Sequence, residues 1–340
     1  MPTRDALVSA CRREAVTLFL GAGIAHSRGV PLWEDVVRRM TGWVHGASDD
    51  VELAERVRAV VRRELGEEVA GRVVLRTHPL EPQLALEWIA SALTQDEVRA
   101  RVASQLGTRE VSFVSLLRRA LYEGVPSGTR ANDALGAVAA AVRAEHERWP
   151  DRRLLRVITL NADDLLEREV CADGVPRLYP IGRPSKFPSW DGRGVPPITA
   201  YHVHGYLPLD DRDPEGSGRT LVFTDDQFWS TTASPLSFAN RVVANALHDS
   251  QCVFAGVSMR DVNLMRWLAL RFEEVVSDAR NHGEPEPERA LRRHFWIHTA
   301  KDDPTGILRE ILARRGVSSV ELASWEDDQF GALLRACFTR

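Results

Sequence analysis

The sequence contains few cysteines, and their spacing excludes a zinc ribbon. The chain has 340 residues and four cysteines, none of which forms a C-x-x-C pair with another. A disulfide framework is not expected when cysteines lie this far apart in a chain of this size. The cysteines are Cys11, Cys171, Cys252 and Cys337. We therefore predict a protein that binds no metal.

Long apolar runs are also missing. No stretch of the sequence is long and apolar enough to cross a bilayer. The first residues, MPTRDALVSACRRE, contain neither an apolar core nor a cleavage pattern. The sequence therefore predicts no membrane association and a cytoplasmic location.

The chain has no excess of positive charge. Its formal net charge is −4 at pH 7. Lysine occurs only at Lys186 and Lys301, so the basic residues are nearly all arginine, and an arginine cluster alone does not identify a binding patch. We expect no direct binding of nucleic acid or of an anionic membrane.

The most informative stretch that is present reads LFLGAGIAHSRGVPLW, from Leu18 to Trp33. The apolar residues at its start predict a short buried strand. Gly21 and Gly23 allow a sharp turn and the close approach of another group. A strand, a glycine turn and a helix start form the beginning of a nucleotide-binding crossover. The spacing departs from G-x-G-x-x-G, because His26 occupies the position of the third glycine.

The remaining pattern predicts the α/β class. Strands at about 16, 155, 201, 252 and 295 alternate with helices, which favours a Rossmann-like parallel sheet with helices on both faces. Shorter strands are predicted over 220–224 and 318–324, and the third strand is predicted to run through 199–207. A Pro/Gly-rich loop is expected over 173–198.

Apolar spacing of three and four residues from about 49 to 149 predicts a large helical insertion. We interpret 1–340 as a single domain with a helical insertion or subdomain at 41–150, and 151–340 as the remainder of the Rossmann-like domain. The insertion carries apolar residues that we expect to be exposed. These are Trp43, Trp88, Ile89, Phe113 and Tyr122.

Ligands of such sheets bind outside the carboxyl ends of the strands, so the residues that follow each strand are candidates for a site. Every one of four strand exits carries a glycine or a compact polar group. The candidates are Gly21, Ala22, Gly23 and Ile24 after the first strand, Asn161 and Asp163 after the second, His204 and Gly205 after the third, and Gly256 and Ser258 after the fourth. Together they predict a ligand site at this edge of the sheet.

Each candidate also has a structural alternative. Asn161 and Asp163 can cap the helix that follows them. His202 and His204 lie two residues apart on one face of a strand, so they can form a metal pair or be ordinary core histidines. The glycine and serine after the fourth strand can be a plain strand exit.

Taken together, these motifs resemble the sirtuin superfamily. The stretch GAGIAHSRGVPLW is similar to the sirtuin opening G-A-G-[IV]-S-x-x-[SA]-G-I-P-x-[FW]. Three further motifs follow in the family order: Thr159, Asn161 and Asp163 match T-x-N-x-D, His204 and Gly205 match H-G, and Gly256, Val257 and Ser258 match G-[TY]-S. The resemblance covers about 16–300 and implies a nucleotide-binding fold that uses NAD+.

The bacterial sirtuin-like branch is more similar to this chain than the protein deacylases are. LNADDLLE and AGVSMRDVNL resemble two motifs of that branch. The deacylase zinc ribbon is absent, and Trp33 stands where deacylases usually have Phe followed by Arg. Members of this branch typically hydrolyse NAD+ in antiphage defence, killing or arresting the infected cell. The resemblance thus implies an NAD+ hydrolase that releases nicotinamide and ADP-ribose.

The resemblance also implies a role for each candidate residue. Asn161 and His204 would be catalytic: the amide would bond a ribose hydroxyl or the attacking water, and the imidazole would accept a proton. Asp163 would bind the nicotinamide amide. The other cofactor-binding positions would be Gly21, Ala22, Gly23 and Ile24 at the pyrophosphate, Ser27, Pro31 and Trp33 over the nicotinamide ribose, and Gly256 and Ser258 on the adenosine side.

Three departures from the family pattern concern substrate contacts. Ala25 replaces the usual serine after the glycine turn, and Leu160 and Ala162 flank the catalytic-type asparagine. Two other functions therefore stay open: an NAD-dependent protein deacylase or ADP-ribosyltransferase, and a non-catalytic regulatory subunit that binds NAD+ or ADP-ribose.

An enzyme that freely consumed cytoplasmic NAD+ would poison its own host. We therefore expect an isolated chain that is largely inactive, a homo-oligomer with subunit contacts through the insertion, and a regulatory partner. That partner would be a HerA-type ATPase or another neighbouring defence protein. Alternatively, the helices form a self-contained cap whose apolar faces pack on one another.

Overall fold

A computed structural model describes most of the chain. The described residues are 3–46, 82–109, 111–125, 133–183, 192–210, 221–283, 294–325 and 328–338, with isolated positions between these ranges. The part of the predicted helical insertion from 47 to 81 lies outside them, apart from a few isolated positions.

Strands and helices alternate along the described chain. The strands are β1 (Val16–Leu20), β2 (Leu154–Thr159), β3 (Leu178–Ile181), β4 (Ile198–His202), β5 (Gln251–Ala255), β6 (His294–Thr299) and β7 (Val317–Leu322). The helices before β2 are α1 (Thr3–Arg13), α2 (Ala22–His26), α3 (Trp33–His45), α4 (Pro82–Ala92), α5 (Asp96–Leu106), α6 (Phe113–Tyr122) and α7 (Ala134–Glu147). Those after β2 are α8 (Leu165–Val170), α9 (Asp225–Ala233), α10 (Phe238–Asp249), α11 (Val262–Asn281), α12 (Ile307–Arg314) and α13 (Gln329–Phe338).

The seven strands form one sheet in the order β3-β4-β2-β1-β5-β6-β7, and every pair of neighbours is parallel. The central strand β1 is buried along its whole length, as an apolar strand covered on both faces should be. Successive residues of the strands contribute to two separate hydrophobic clusters. Leu18 belongs to the cluster that includes residues of α1, α7 and α13, whereas Phe19 belongs to the one with α10 and α11. The predicted Rossmann-like sheet with helices on both faces is therefore confirmed.

The chain divides into two compact units. The first contains Met1–Gly29, Pro126–Leu221 and Thr231–Arg340, and thus the whole sheet. The second contains Val30–Val125 and Val222–Ser230. These divisions differ from the predicted 41–150 boundary, since α7 lies in the first unit and packs against α8 and α13. The interpretation of 1–340 as a single domain stays a prediction.

The second unit has its own helical core. Helix α3 contacts α4, α5 and α6. Ile89 and Tyr122, which we expected to be exposed, are buried here. Trp88 stacks on His45 with ring centroids 4.8 Å apart, and the Arg119 guanidinium lies over the Trp43 ring. The apolar side chains of these helices therefore pack within the unit, as the alternative of a self-contained cap requires.

Two strand predictions were wrong in detail. The apolar run at 220–224 forms no strand over its described residues 221–224. Instead, the amides of Phe223 and Thr224 donate to Gln227 Oε1 at the start of α9, and the Phe223 ring packs against Trp33. The strand predicted over 199–207 ends at His202, because Gly205 turns back with φ 93° and donates to the His202 carbonyl.

One strand was missed. β3 lies inside the predicted Pro/Gly-rich loop and contains Pro180. It is an edge strand and pairs only with β4, so a residue without a backbone N–H is tolerated there. Among the described residues, no helix is long and apolar enough to cross a membrane.

Candidate active site

The exits of β1, β2, β4 and β5 are joined by hydrogen bonds that continue beyond the strands. Leu160 N–H donates to the Leu20 carbonyl at 3.0 Å, and Leu207 N–H donates to the Ala162 carbonyl at 2.7 Å. On the other side of β1, Gly21 N–H donates to the Ala255 carbonyl at 3.0 Å. The four exits that carry the sequence candidates therefore form one continuous edge of the first unit.

Two glycine turns meet at the exits of β1 and β5. A Cβ atom at Gly21 would lie 2.3 Å from the Gly256 carbonyl oxygen, which is closer than real Cβ contacts. Gly256 itself has φ 64°, and a Cβ there would lie 2.7 Å from the Ile24 nitrogen. Side chains are excluded from both positions because main chain packs directly on main chain.

Most of the amides that we assigned to a pyrophosphate donate to carbonyl groups of the protein instead. Gly23 N–H donates to the Gly256 carbonyl at 3.1 Å, and Ile24 N–H donates to the Gly21 carbonyl at 3.1 Å. Within the described part of the chain, Ala22 is the residue of this turn whose N–H has no hydrogen bond to protein. Ala22 is exposed, so its N–H is the donor of the turn that a ligand can use.

Asn161 connects the β2 exit to the glycine turn of β1. Its side-chain Nδ2 donates to the Gly21 carbonyl at 3.3 Å, and its backbone N–H donates to Thr159 Oγ1 at 3.0 Å. The Oδ1 atom makes no hydrogen bond to the described protein, and the side chain is half-buried. Asn161 does not cap α8, whose N-cap residue is Asp164. Its amide is fixed through nitrogen while its oxygen can accept a bond from a ligand.

Asp163 is buried beside the same exit. Its Oδ1 accepts a hydrogen bond from Leu165 N–H at 3.2 Å, so it does contact the start of α8. Burial, with the nearby Glu167 carboxylate, raises the pKa of Asp163 to about 6. A carboxyl group with this pKa exists in both protonation states near neutral pH.

His204 follows the end of β4 and is half-buried. Burial lowers the pKa of His204, while the Asp261 carboxylate and a backbone hydrogen bond with Leu160 oppose that shift. The ring is therefore mainly neutral at pH 7 and can accept a proton. Its neighbours come from the exits of β2 and β5, so His204 belongs to the same edge as the other candidates.

His202 lies only two residues away but is fully buried. Its Nδ1 lies 2.8 Å from the Asn161 carbonyl oxygen and its Nε2 lies 2.9 Å from Glu167 Oε1. Both ring nitrogens thus contact protein oxygens, which argues against the alternative of a metal pair with His204. Among the described residues, no group of three or more His, Cys, Asp or Glu side chains could hold a metal ion.

The β5 exit is held by groups that the sequence did not suggest. Trp296 of β6 is fully buried and donates from Nε1 to the Val257 carbonyl at 3.0 Å. Ser258 is exposed, and the next residue, Met259, has the left-handed φ of 54° that non-glycine residues rarely adopt. Asp261 then caps α11 by accepting from Leu264 N–H at 2.7 Å. Ser258 is therefore presented on a loop that is fixed at both ends.

The segment after α2 has a buried charge where the sirtuin pattern has Ser or Ala. Arg28 is paired with Asp133 and, at 3.2 Å, with Glu169. Ser27 uses its hydroxyl internally, since Oγ donates to the Ile24 carbonyl at 2.7 Å. The structure therefore shows Ser27 as part of the turn itself.

Pro31 and Trp33 belong to the second unit. Pro31 is buried, and the half-buried Trp33 ring packs against Phe223 with centroids 4.8 Å apart. Their predicted role at the nicotinamide ribose stays a prediction.

Comparison with known families supports the sirtuin-like interpretation for the exits of β2, β4 and β5. Residues 155–319 match the SIR2-like domain. A SIR2-like domain indicates NAD-related chemistry in general. The matched range contains Asn161, Asp163, His204, Gly256 and Ser258, whereas the glycine turn of β1 lies outside it. A search of curated proteins finds no match.

The sequence analysis assigned no supporting role to several residues that hold this site. Glu167, His202, Trp296 and Asp261 act behind or beside the candidates, and Arg28 anchors the segment after α2. One signal was available for Glu167, because it is the last residue of the motif LNADDLLE and follows Asp163 by four residues. The contact between Trp296 and Val257 joins positions 39 residues apart and has no local signal.

Proposed function

We propose that this chain is an NAD+ glycohydrolase, which cleaves the nicotinamide–ribose bond of NAD+ and releases nicotinamide and ADP-ribose. We further propose that it acts as an effector of antiphage defence by NAD+ depletion. The SIR2-like match over residues 155–319 supports NAD-related chemistry. The NAD+ hydrolase activity and the antiphage role rest on the resemblance of the motifs to the bacterial sirtuin-like branch.

The observation that carries the hydrolase proposal is the hydrogen bond from the Asn161 side chain to the Gly21 carbonyl. Because Nδ2 is fixed on the Gly21 carbonyl, the amide is held at the turn where a nucleotide would approach the main chain. Its Oδ1 can accept a hydrogen bond from a ribose hydroxyl or from the attacking water. A fixed acceptor at this point positions the nucleophile without reorganisation.

His204 supplies the second group that the reaction needs. Cleavage passes through an oxocarbenium-like state, in which the electron pair of the breaking bond neutralises the pyridinium ring of nicotinamide. The leaving group needs no proton, whereas the attacking water must lose one. A half-buried imidazole whose pKa is lowered by burial can take that proton near pH 7.

The remaining contacts follow the same edge of the sheet. The exposed Ala22 amide suits one phosphate oxygen, and the fixed loop at Gly256 and Ser258 suits the adenosine side. Asp163 can bind the nicotinamide amide, since a carboxyl group accepts from an amide NH₂ and, when protonated, also donates to its carbonyl. These assignments rest on the resemblance together with the positions described above.

Asn161→Ala and His204→Ala test the proposal. Each should lower the rate of nicotinamide release about 10²–10⁴-fold, which is the usual contribution of a positioned acid–base group. The exposed His248, on α10, provides the matched control as His248→Ala. Circular dichroism should show folded protein for all three. Turnover like that of the wild type in either site variant would contradict the assignment.

The two alternative functions give different results in the same assay. A protein deacylase or ADP-ribosyltransferase releases nicotinamide only when an acylated peptide or an acceptor protein is added. A regulatory subunit that only binds NAD+ releases none under any condition.

Control of the activity is a separate proposal. We propose a homo-oligomer that is held largely inactive until a partner protein, such as a HerA-type ATPase or another neighbouring defence protein, binds it. A size measurement and an NAD+ turnover series across protein concentrations test this. A monomer with full activity at every concentration would contradict it.

A further inference from the structure

His202 is the last residue of β4 and bridges two elements that carry the candidate site. Its Nδ1 contacts the Asn161 carbonyl at 2.8 Å, directly behind the candidate catalytic amide. Its Nε2 contacts Glu167 Oε1 of α8 at 2.9 Å. The Tyr206 ring packs edge-on against the imidazole, with centroids 4.6 Å apart. The ring is thereby fixed in orientation as well as in position.

The two contacts determine the protonation state of the ring. A backbone carbonyl and a carboxylate are both acceptors, so both ring nitrogens must carry a proton for both bonds to form. Burial alone would lower the pKa of His202, but the Glu167 carboxylate and the bond to the Asn161 carbonyl outweigh it and raise the pKa. Asp163 is the other charged group that favours the cation. Glu167 therefore holds a charged imidazole against the main chain of the candidate site.

Three hydrogen bonds hold Asn161 itself, while its neighbours Leu160 and Ala162 are bonded to Leu20 and Leu207. The Asn161 N–H is held by Thr159 Oγ1, its side chain reaches the Gly21 carbonyl, and its carbonyl is held by His202. Removing the last contact would free the peptide that follows Asn161 to rotate. Because the amide side chain is attached to the same residue, such a rotation would displace its Oδ1.

We propose that His202, held by Glu167, is a positioning residue for nicotinamide cleavage, and that it acts through its hydrogen bond to the Asn161 carbonyl. The proposal rests on the NAD+ glycohydrolase function proposed above. His202 touches no substrate; it fixes the residue that does.

Two substitutions of His202 can each keep one of its two hydrogen bonds and remove the other. In His202→Asn the side-chain NH₂ can take the place of Nδ1 and keep the bond to the Asn161 carbonyl. In His202→Gln the NH₂ can reach the place of Nε2 and keep the bond to Glu167. Gln matches the size of the imidazole better than Asn does. If His202 were merely structural, His202→Gln should therefore be the less damaging substitution.

The positioning role predicts the opposite order in catalysis. The kcat for nicotinamide release should be roughly tenfold or more lower in His202→Gln than in His202→Asn, since a small misplacement of reacting groups costs up to about a hundredfold. KM should change little in both variants. The matched pair His146→Asn and His146→Gln, at the buried histidine of α7, should show no such separation. Equal kcat values for the two His202 variants, or a higher value for Gln, would overturn the proposal.

Nitrogen NMR of ¹⁵N-histidine-labelled protein gives a second readout that needs neither NAD+ nor a stable His202→Gln. Both ring nitrogens of His202 should be protonated at pH 7 in the wild type, and one should lose its proton in Glu167→Gln. A neutral His202 ring in the wild type would overturn the proposal. If the wild type releases no nicotinamide, the glycohydrolase function fails, and the nitrogen signals still report independently whether the bridge exists.

Discussion

The two halves of the candidate site are built by different means. At the exits of β1 and β5 the main chain packs on itself, and Gly21 and Gly256 contribute no side chain. At the exits of β2 and β4 the chain is held by side chains, among them Asn161, His202 and Glu167. The contact between the two glycine turns involves no charged side chain, whereas the second half carries several buried titratable groups. Substitutions in the first half should therefore lower the stability of the fold. Substitutions in the second half should change how that stability depends on pH.

Gly21→Ala should have the largest effect on stability. Its new Cβ would overlap the Gly256 carbonyl oxygen, and neither main chain can move without breaking the sheet exits. We expect a loss of about 3 kcal/mol or more in the free energy of unfolding, measured by chemical denaturation.

Gly174→Ala is the control for this prediction. Gly174 has φ 81° and nothing within 4 Å of a Cβ, so alanine meets backbone strain but no collision. That strain costs about 1–2 kcal/mol. If both variants lost the same amount, the close contact between the two glycine turns would not be the reason.

Asp163→Asn should stabilise the protein at pH 7. Because the pKa of Asp163 is raised from 3.8 to about 6 in the folded state, the unfolded carboxyl ionises first and stability falls as the pH rises between these values. The difference corresponds to about 3 kcal/mol at pH 7 and little at pH 4. Asparagine keeps the acceptor for Leu165 N–H, so denaturation at the two pH values should isolate the effect of charge.

Asp173 provides a control of opposite sign. It is exposed, and its hydrogen bond with Arg177 lowers its pKa to about 2. Asp173→Asn should therefore bring no gain of stability at pH 7. A stability of Asp163→Asn that equals the wild type at both pH values would show that the Asp163 carboxyl carries no penalty.

Thr159→Val should have the smallest effect. It removes the acceptor of the Asn161 N–H and keeps the shape of a buried side chain. We expect a loss of about 1 kcal/mol in thermal or chemical unfolding. Thr199→Val in β4 is the control, since Thr199 makes no side-chain hydrogen bond in the described part of the chain. An unchanged stability of Thr159→Val would mean that the N–H finds another acceptor.

The central strands could be predicted because local sequence determines them. β1, β5 and β6 are buried on both faces, and each contains a run of at least three apolar residues. β3 could not be predicted in the same way, because an edge strand with Pro180 depends on its pairing with β4. The run at 220–224 looks like a strand locally, but its polar backbone groups are satisfied by Gln227.

The same distinction between local signals and contacts from distant parts of the chain applies to the site. Residues directly after apolar strands, such as Asn161 and His204, could be proposed as candidates from the rule that ligands bind at strand ends. The contacts around them could not, because Trp296 bonds to Val257, and Asp261 acts on His204, from far along the chain. The use of the Gly23 amide could not be predicted either, since it depends on where the Gly256 carbonyl lies.

The contact between the glycine turns of β1 and β5 limits how this edge of the sheet can vary. A side-chain contact can be weakened or strengthened in small steps, by a methyl group or by a changed charge. A contact between two main chains has no such intermediate states, because the smallest possible change, one added carbon, already collides. Any gradual adjustment of ligand affinity or turnover must therefore come from side chains outside this contact, such as those at the exits of β2 and β4, where several sizes and charges can be exchanged.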